Sequence, residues 1–315
     1  MILLTVVIPL YNKARHIRRA IDSALAQTYT ALEIIVVNDG STDGSQEVVR
    51  QCADPRIRLV DQENAGVSAA RNRGIAESMG ELVAFLDADD EWLPDHLATI
   101  CRLAAEHPEC GAYASSYRVV RAGGKQAVPV FAGIPRHPWE GVLPSYFRAA
   151  LTSDPIWTSA VAVPRRVFEA CGLFPVGVKC GEDVDMWCRI ALRYPVAFST
   201  HPSALYHQAA DNRTGLESSS SSSPVIVETL DDALKRGGLP EGITSEDLLE
   251  YRNKWLIGFA TNCLLAGEKS LARDYCSRAS STRIFRWWRR RNVAASYLPS
   301  VLLKKLGSGS IQGRR

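Results

Sequence analysis

Three carboxylates follow a continuous apolar run in the first third of the chain. Residues 82–86 read LVAFL, and Asp87, Asp89 and Asp90 come directly after them. Crowded anions repel one another unless a cation or hydrogen-bond donors hold them. Alternate side chains of an extended segment point to the same side, so Asp87 and Asp89 can face one hard cation, which takes oxygen ligands and is often shared with substrate phosphates. The alternative interpretation is an acidic turn that caps the next helix.

A second acidic pair lies a hundred residues further on. Glu182 and Asp183 precede a segment in which Met186, Trp187 and Ile190 have helical spacing. Acids in the first turn of a helix interact favourably with its dipole and can cap its free N–H groups. Capping alone would account for one of the two. The other is available for chemistry.

The elements around these acids alternate between strand and helix. Apolar runs at 5–10, 33–39, 57–60 and 82–86 predict buried strands, and the segments between them have helical periodicity. This order indicates an α/β fold with a mostly parallel sheet and helices on both faces. Ligands bind at the carboxyl ends of the strands in such sheets. Asp39 and Asp87 to Asp89 are predicted to lie at those ends.

Composition limits the classes of function. The chain has 315 residues, 46% of them hydrophobic and 23% charged, with a formal net charge of +3. That charge does not favour nucleic acid as a partner. The eight cysteines form no C-x-x-C pair, which favours reduced thiols in a cytoplasmic protein. The N-terminus has no basic region or cleavage site of a signal peptide, and no apolar run reaches the roughly 18 residues that span a bilayer.

Several motifs, in order, resemble a known family. TVVIPLYNK, EIIVVNDGSTDGS, NAGVSAARNRGI and FLDADDEWLPDHL, followed by TSAVAVPRRVFEACGLFP and GEDVDMWCRIALR, are similar to the family 2 glycosyltransferases. The resemblance covers about residues 3–210 and implies the nucleotide-diphospho-sugar transferase (GT-A) fold, which is Rossmann-like. It also implies a nucleotide-sugar donor, expected to be UDP-linked.

The resemblance assigns a set of residues to the nucleotide. Pro9 and Tyr11 would border the base, and Asp39 would accept a hydrogen bond from the imide N–H of uracil, which adenine lacks. The alternative for Asp39 is capping of the helix that begins at Ser45. Arg71 would reach the nucleotide or its neighbouring carboxylates, or be a solvated helix arginine.

The same resemblance assigns the metal ligands. Asp89 would contact Mn²⁺ or Mg²⁺ directly, with Asp87 toward the ribose and the metal, and Asp90 would face the following loop and helix. His207 is either a metal or diphosphate ligand or a structural histidine. The commoner family pattern would place that histidine two residues later, where this chain has Ala209.

The acceptor side follows from the GED motif. By resemblance Asp183 is the general base, because an acceptor hydroxyl is a weak nucleophile and must lose its proton as it attacks. Glu182 and Trp187 would lie on the acceptor side. A single base opposite the leaving group implies inversion of the anomeric configuration, in a hexosyltransferase type of reaction.

The last ninety residues have a different pattern. Residues 1–215 are predicted to form the catalytic domain, 216–224 a serine-rich linker or lid, 225–306 a helical C-terminal region and 307–315 a disordered tail. Aromatic residues and arginines alternate in RIFRWWRRR. That pattern suits a helix on an anionic membrane surface, which would place the protein on the inner face of the cell membrane. A terminal helix that packs Trp287 or Trp288 on the domain is the alternative.

The sequence therefore predicts a metal-dependent, inverting glycosyltransferase. Its acceptor would be a saccharide or a lipid-linked acceptor, in surface polysaccharide biosynthesis. Two other functions stay open. A sugar-1-phosphate nucleotidyltransferase would need a Gly-rich, basic signature near the first strand, where this chain has Pro9 and Tyr11. A non-catalytic nucleotide-sugar binding module would be favoured by loss of the acids, which are present.

Overall fold

The first half of the chain alternates strand and helix as predicted. The computed structural model describes residues 2–178, 180–208 and 225–298. In this half the elements are β1 (Leu4–Leu10), α1 (Ile17–Leu25), β2 (Leu32–Asp39), α2 (Ser45–Arg50), β3 (Ile57–Gln62), α3 (Val67–Glu77), β4 (Leu82–Phe85), β5 (Glu91–Trp92), α4 (His96–Glu106), β6 (Ala112–Val120) and β7 (Gln126–Ala127).

The second half is richer in helix. Its elements are β8 (Glu140–Val142), α5 (Tyr146–Ala149), β9 (Val161–Pro164), α6 (Arg165–Cys171), α7 (Glu182–Ala191), β10 (Val196–His207), α8 (Val225–Arg236), α9 (Ser245–Leu265), α10 (Lys269–Arg278) and α11 (Arg286–Ala295). The predicted linker at 216–224 and tail at 307–315 lie outside the described residues.

The ten strands of the described residues form one sheet. Their order is β3-β2-β1-β4-β9-β6-β10-β5, with β7 paired to β6 and β8 to β10. The strands β3, β2, β1 and β4 are parallel, as are β6 and β10, whereas β9 runs antiparallel between β4 and β6. The predicted α/β class with a mostly parallel sheet is confirmed. The antiparallel β9 was not predicted.

Each face of the sheet carries a hydrophobic core. Along β1, Val7 belongs to one cluster and Val6 and Ile8 to the other, because neighbouring side chains of a strand point to opposite faces. The helix α3 packs closely on the first face. A Cβ added at Gly74 would lie 2.3 Å from Val7 Cγ1, so the contact needs glycine. This packing fixes Arg71, one helical turn earlier, at the edge of the sheet.

The C-terminal helices belong to the same core as one face of the sheet. Leu230 of α8 and Phe259 of α9 join the cluster that contains Phe85 and Trp187. None of the described helices has the length and apolar character needed to cross a membrane. All eight cysteines carry free thiols, as predicted.

Candidate active site

Arg71 lies between the two acidic motifs that the sequence singles out. Its Nη2 donates to Asp87 Oδ1 and its Nη1 to Glu182 Oε1, both at 3.0 Å, and only 4% of the residue is exposed. The guanidinium also lies 5.4 Å from the ring centroid of Phe174. The alternative of a solvated helix arginine is therefore wrong. Residues far apart in sequence meet here, at the carboxyl end of β4.

Burial and the charges around Arg71 shift the pKa values of this cluster. Burial alone would lower the pKa of the guanidinium, but Asp87, Glu182 and Asp183 together raise it above its ordinary value. Burial, and then the charge of Asp183, raises the pKa of Glu182 to about 7, with Arg71 opposing. One cation faces three carboxyl groups, so the cluster is short of positive charge.

Asp89 has basic neighbours of its own. Lys13 Nζ lies 2.7 Å from Asp89 Oδ2, and Arg19 Nη2 donates to the Asp89 carbonyl at 2.5 Å. The side chains of Asp87 and Asp89 keep 26% and 17% exposure. A ligand that enters the edge of the sheet can therefore reach both carboxylates.

Asp90 does not face the start of the next helix, so that prediction is wrong. The residue is 2% exposed, and its Oδ2 accepts from Ser159 Oγ at 2.6 Å and from Trp157 Nε1 at 3.1 Å. Its Oδ1 accepts from the His207 backbone N–H at 3.1 Å. Burial, followed by the charges of Asp87 and Asp89, raises the pKa of Asp90 to about 7. Asp90 thus joins β10 and the segment before β9 to the acidic motif.

Asp183 is held at both carboxylate oxygens. Thr158 Oγ1 donates to Oδ2 at 2.9 Å, and the Val184 N–H donates to Oδ1 at 2.7 Å. The preceding Gly181 has φ +83°, a left-handed conformation that glycine adopts without strain, and α7 begins at the next residue. One oxygen of Asp183 therefore accepts from an N–H of the first turn of α7, and the other faces the Thr158 hydroxyl.

Asp39 holds the loop between β3 and α3 through hydrogen bonds. Its Oδ1 accepts from Gln62 Nε2 at 2.7 Å and from the Ala65 N–H at 2.9 Å, and its Oδ2 accepts from the Gly66 N–H at 2.9 Å. The expected alternative, capping of the Ser45 helix, is wrong. Asp43 has that role, since its Oδ1 accepts from the Ser45 N–H at 3.0 Å.

The other residues assigned to the base lie near this edge. Pro9 is paired with Val37 in the register of β1 and β2, and Tyr11 follows β1 with 49% exposure. A large aromatic side chain that is half exposed at the carboxyl end of a strand can stack on a planar ligand. The backbone N–H of the next residue, Asn12, donates to Ser41 Oγ at 3.1 Å, which joins the ends of β1 and β2.

His207 lies beside the acidic motif at the end of β10. Its Nε2 is 3.1 Å from Glu91 Oε2. Burial, and then the charge of Arg19, lowers the pKa of the imidazole, with Glu91 opposing. A neutral imidazole can bind a metal, and a ring bonded to Glu91 also fits a structural histidine, so the structure agrees with both interpretations. Ala209 lies outside the described residues.

Two assignments to the acceptor side do not match the structure. Trp187 is 1% exposed and packs edge-to-face on Phe174, with ring centroids 5.7 Å apart, so it is a core residue. Trp187 lies on the buried face of the amphipathic helix α7, together with Met186 and Ile190, which explains this burial. Glu182 pairs with Arg71 and is therefore turned toward Asp87.

The donor groups fit a hard divalent cation. Asp87 and Asp89 supply partly exposed carboxylate oxygens, the ligands that Mg²⁺ and Mn²⁺ take, and substrate phosphates commonly complete such sites. Within residues 2–178, 180–208 and 225–298, no group of three or more His, Cys, Asp and Glu is arranged to hold a metal by itself. A cation would thus share its coordination between the protein and a bound ligand.

The N-terminal part of the chain matches the model of a known family. Residues 5–145 match the profile described as Glycosyl transferase family 2. The chain contains a glycosyl transferase family 2 domain. An uncharacterized glycosyltransferase of Escherichia coli, YibD, is 50% identical over 105 residues, which are 33% of this chain and 30% of that relative. The first curated relatives are matched over 15–30% of their own length.

Solved structures share the fold of the whole described chain. S. aureus TarS 1-349 in complex with UDP-GlcNAc has a TM-score of 0.69 at 18% identity, over 98% of this chain and 92% of that one. The Pyrobaculum calidifontis mannosyltransferase PcManGT, in complex with GDP-Man and Mn²⁺, has a TM-score of 0.57 at 24% identity, over 96% and 86% of the two chains. The predicted GT-A fold is thereby confirmed.

Several site residues were not identified from the sequence. Lys13 stands in the TVVIPLYNK motif and Thr158 and Ser159 stand in TSAVAVP, so both motifs indicated a site without indicating which side chain is used. Trp157 and Arg19 have no such signal. Their roles depend on which strand ends meet in the sheet.

Proposed function

We propose that this protein is a glycosyltransferase that moves a sugar from a nucleotide donor to an acceptor hydroxyl. The observation that carries the proposal is the double ion pair of Arg71 with Asp87 and Glu182. It brings the donor-side and acceptor-side motifs of a family 2 domain into contact, as a reaction between two substrates requires.

The donor is a UDP-sugar. Asp39 is the last residue of β2, at the edge of the sheet where Tyr11 is 49% exposed, and a carboxylate can accept from the imide N–H of uracil. Lys13 and Arg71 supply positive charge next to Asp89 and Asp87. These cations also suit a diphosphate. TarS binds UDP-GlcNAc, which supports the choice of nucleotide.

The cofactor is Mn²⁺ or Mg²⁺, held by Asp89 and Asp87. The complex of PcManGT with Mn²⁺ supports a divalent cation. When bound, the cation offsets the charge of the departing nucleoside diphosphate. The ammonium of Lys13 lies on Asp89, so we expect it to move toward the diphosphate when a cation takes its place.

Asp183 is the general base. Its carboxylate takes the proton of the acceptor hydroxyl as the oxygen attacks the anomeric carbon, and Thr158 orients it through the bond to Oδ2. The bond between the anomeric carbon and the diphosphate oxygen breaks as the new glycosidic bond forms. A single displacement of this kind inverts the configuration. The acceptor is a saccharide or a lipid-linked molecule of surface polysaccharide biosynthesis.

The protein works at the inner face of an anionic membrane. Trp288 packs partly buried on the core, whereas Trp287 is 64% exposed, next to exposed Arg286 and Arg290. The burial of Trp288 supports a helix that packs on the domain, and the exposure of Trp287 supports a helix that also lies on a membrane surface. Indole rings flanked by arginines suit the headgroup region of anionic lipids.

The experiment that tests the function is a transfer assay with a panel of nucleotide sugars. We expect one UDP-sugar to be consumed with Mn²⁺, turnover to stop with EDTA, and the product to have the opposite anomeric configuration. Asp183→Asn should lower transfer by about 10²–10⁴, the usual contribution of a positioned base, while thermal stabilisation by the donor persists. Stabilisation without any transfer by the wild type would indicate the binding module instead.

A further inference from the structure

A buried ammonium lies in the middle of α9. Lys254 is 7% exposed, and its Nζ donates to the Ala150 carbonyl at 2.5 Å and to Asp154 Oδ1 at 3.3 Å. The ring of Tyr251 lies 5.6 Å away. Removing an ammonium from water is costly, and an apolar side chain of similar volume is often as stabilising in such a place. Stability alone is therefore a poor reason for this lysine.

Both partners of Lys254 belong to one segment, residues 150–159, which we call the bridging loop. At the other end of the loop, Thr158 Oγ1 donates to Asp183 Oδ2 at 2.9 Å. Ser159 Oγ donates to Asp90 Oδ2 at 2.6 Å. The bridging loop thus connects α9 with both acidic motifs of the candidate active site.

Other polar contacts hold the loop near its start and near its end. Thr152 Oγ1 accepts from the Ala132 N–H at 2.9 Å and donates to the Val130 carbonyl at 3.0 Å, and Trp157 Nε1 donates to Asp90 Oδ2 at 3.1 Å. Lys254 acts between these two points.

Asp154 contributes its carbonyl as the acceptor of Tyr117 OH at 3.3 Å, and Ile156 is buried in the core. Without the ammonium, the Ala150 carbonyl would lose its donor and Asp154 its ion-pair partner. A shift of the loop would then reach Thr158, only four residues after Asp154.

We propose that Lys254 is a positioning residue for the transfer reaction. It fixes the bridging loop so that the Thr158 hydroxyl holds the carboxylate of Asp183 at the angle from which it takes the acceptor proton. The inference rests on the proposed function in one respect, the role of Asp183 as the base. The C-terminal helix α9 would thus help to position the catalytic groups of the N-terminal domain.

The same helix offers a matched control. Arg252 lies two residues earlier on α9, and its guanidinium pairs with Asp231 of α8, with Nη2 3.2 Å from Oδ2. It also donates to the Arg278 carbonyl at 3.2 Å. Arg252→Met therefore removes a partly buried cation and an ion pair from α9 without removing a contact to the bridging loop.

The test compares Lys254→Met, Lys254→Arg and Arg252→Met in the full chain. For Lys254→Met we expect kcat to fall roughly 10–100-fold, the effect of a small misplacement of a catalytic group, with the KM for the donor unchanged. Lys254→Arg, which keeps the charge, should recover part of the loss. Arg252→Met should lower Tm and leave kcat unchanged. If Lys254→Met behaves like Arg252→Met, the proposal is overturned.

Hydrogen exchange provides a measurement that needs no substrate. We expect amides 151–159 to exchange faster in Lys254→Met than in the wild type, and at the wild-type rate in Arg252→Met. Asp154→Asn, which changes a partly exposed side chain, serves if Lys254→Met does not fold, and should accelerate the same amides. Unchanged exchange would overturn the positioning role even in an active enzyme. A wild type that transfers no sugar would instead remove the proposed function.

Discussion

The guanidinium of Arg71 faces three carboxyl groups. Asp87 and Glu182 each lie 3.0 Å from it, and Asp183 adds a third negative charge. One cation cannot compensate three anions in a buried place, so buried acids of the cluster hold their protons to a higher pH. Burial and then the charge of Asp183 raise the pKa of Glu182 to about 7, and burial also raises the pKa of Asp87.

This shift predicts how stability depends on pH. The pKa of Glu182 in the folded protein lies above the ordinary glutamate value of 4.5. Between these two pKa values the folded state binds more protons than the unfolded one, so stability falls as pH rises. The slope is at most about 1.4 kcal/mol per pH unit for one group. Glu182→Gln removes this titration. We therefore expect the variant to gain stability relative to the wild type from pH 5 to pH 7, measured by urea unfolding.

A surface acid gives the control for that measurement. Glu246 pairs with Arg283 on the surface, where its side chain is 66% exposed. The stability difference between Glu246→Gln and the wild type should stay nearly constant over the same pH range. A constant difference for Glu182→Gln as well would show that Glu182 is ionised throughout, and that Arg71 compensates it fully.

At the scale of elements, Asp39 joins β2 to the turn that starts α3. Its carboxylate accepts from the N–H groups of Ala65 and Gly66 as well as from Gln62. Each carboxylate oxygen can accept more than one hydrogen bond. The same side chain can thus hold the turn and accept from a uracil ring.

Nucleotide selectivity tests the second role. We expect UDP to bind more tightly than ADP in calorimetry, and Asp39→Ala to weaken UDP by roughly 1.5–3 kcal/mol, the scale of a hydrogen bond to a charged group. Gln62→Ala is the control, because it removes one bond to Oδ1 and leaves the carboxylate in place. It should keep the preference for UDP. Equal affinity of the wild type for UDP and ADP would contradict the assignment.

The elements also show what a sequence can and cannot predict here. The strands β1 and β2 were predicted to within one residue, since both are buried on two faces and have uninterrupted apolar runs. The position of β9 between β4 and β6 follows from long-range pairing, which leaves no local signal. For the same reason Asp90 was misplaced. Its partners Ser159 and Trp157 precede β9 and reach Asp90 only through that pairing.

At the scale of the whole molecule, α11 presents two kinds of surface. Its inner side packs Trp288 and Val293 on the shared core, and the buried Asn292 donates to the Ile257 carbonyl at 3.1 Å. Its outer side exposes Trp287, beside Ile284 with 55% exposure. A helix that is packed in this way can present its outer side to a membrane without unfolding. Substitutions on the outer side of α11 should therefore change membrane binding without changing the packing of the helix on the core.

The last prediction concerns that outer side. Each arginine near an anionic surface contributes about 1 kcal/mol, so Arg286→Gln with Arg290→Gln should weaken binding to phosphatidylglycerol vesicles roughly thirtyfold. Arg18→Gln with Arg50→Gln removes the same charge from side chains that are 59% and 54% exposed. This second pair should bind like the wild type if attachment is local to α11, and weakly if it depends only on net charge.

Sedimentation with vesicles at increasing salt completes the test. We expect wild-type binding to fall as salt rises, because the Debye length shortens from about 10 Å at 0.1 M to about 3 Å at 1 M. Trp287→Ala should weaken binding at every salt concentration, since the indole contributes through burial in the headgroup region and not through charge. Transfer to a water-soluble acceptor should be unchanged in all these variants, since α11 lies against α9 and α10 and not at the acidic motifs. A wild type that stays in the supernatant at low salt would leave α11 with its packing role only.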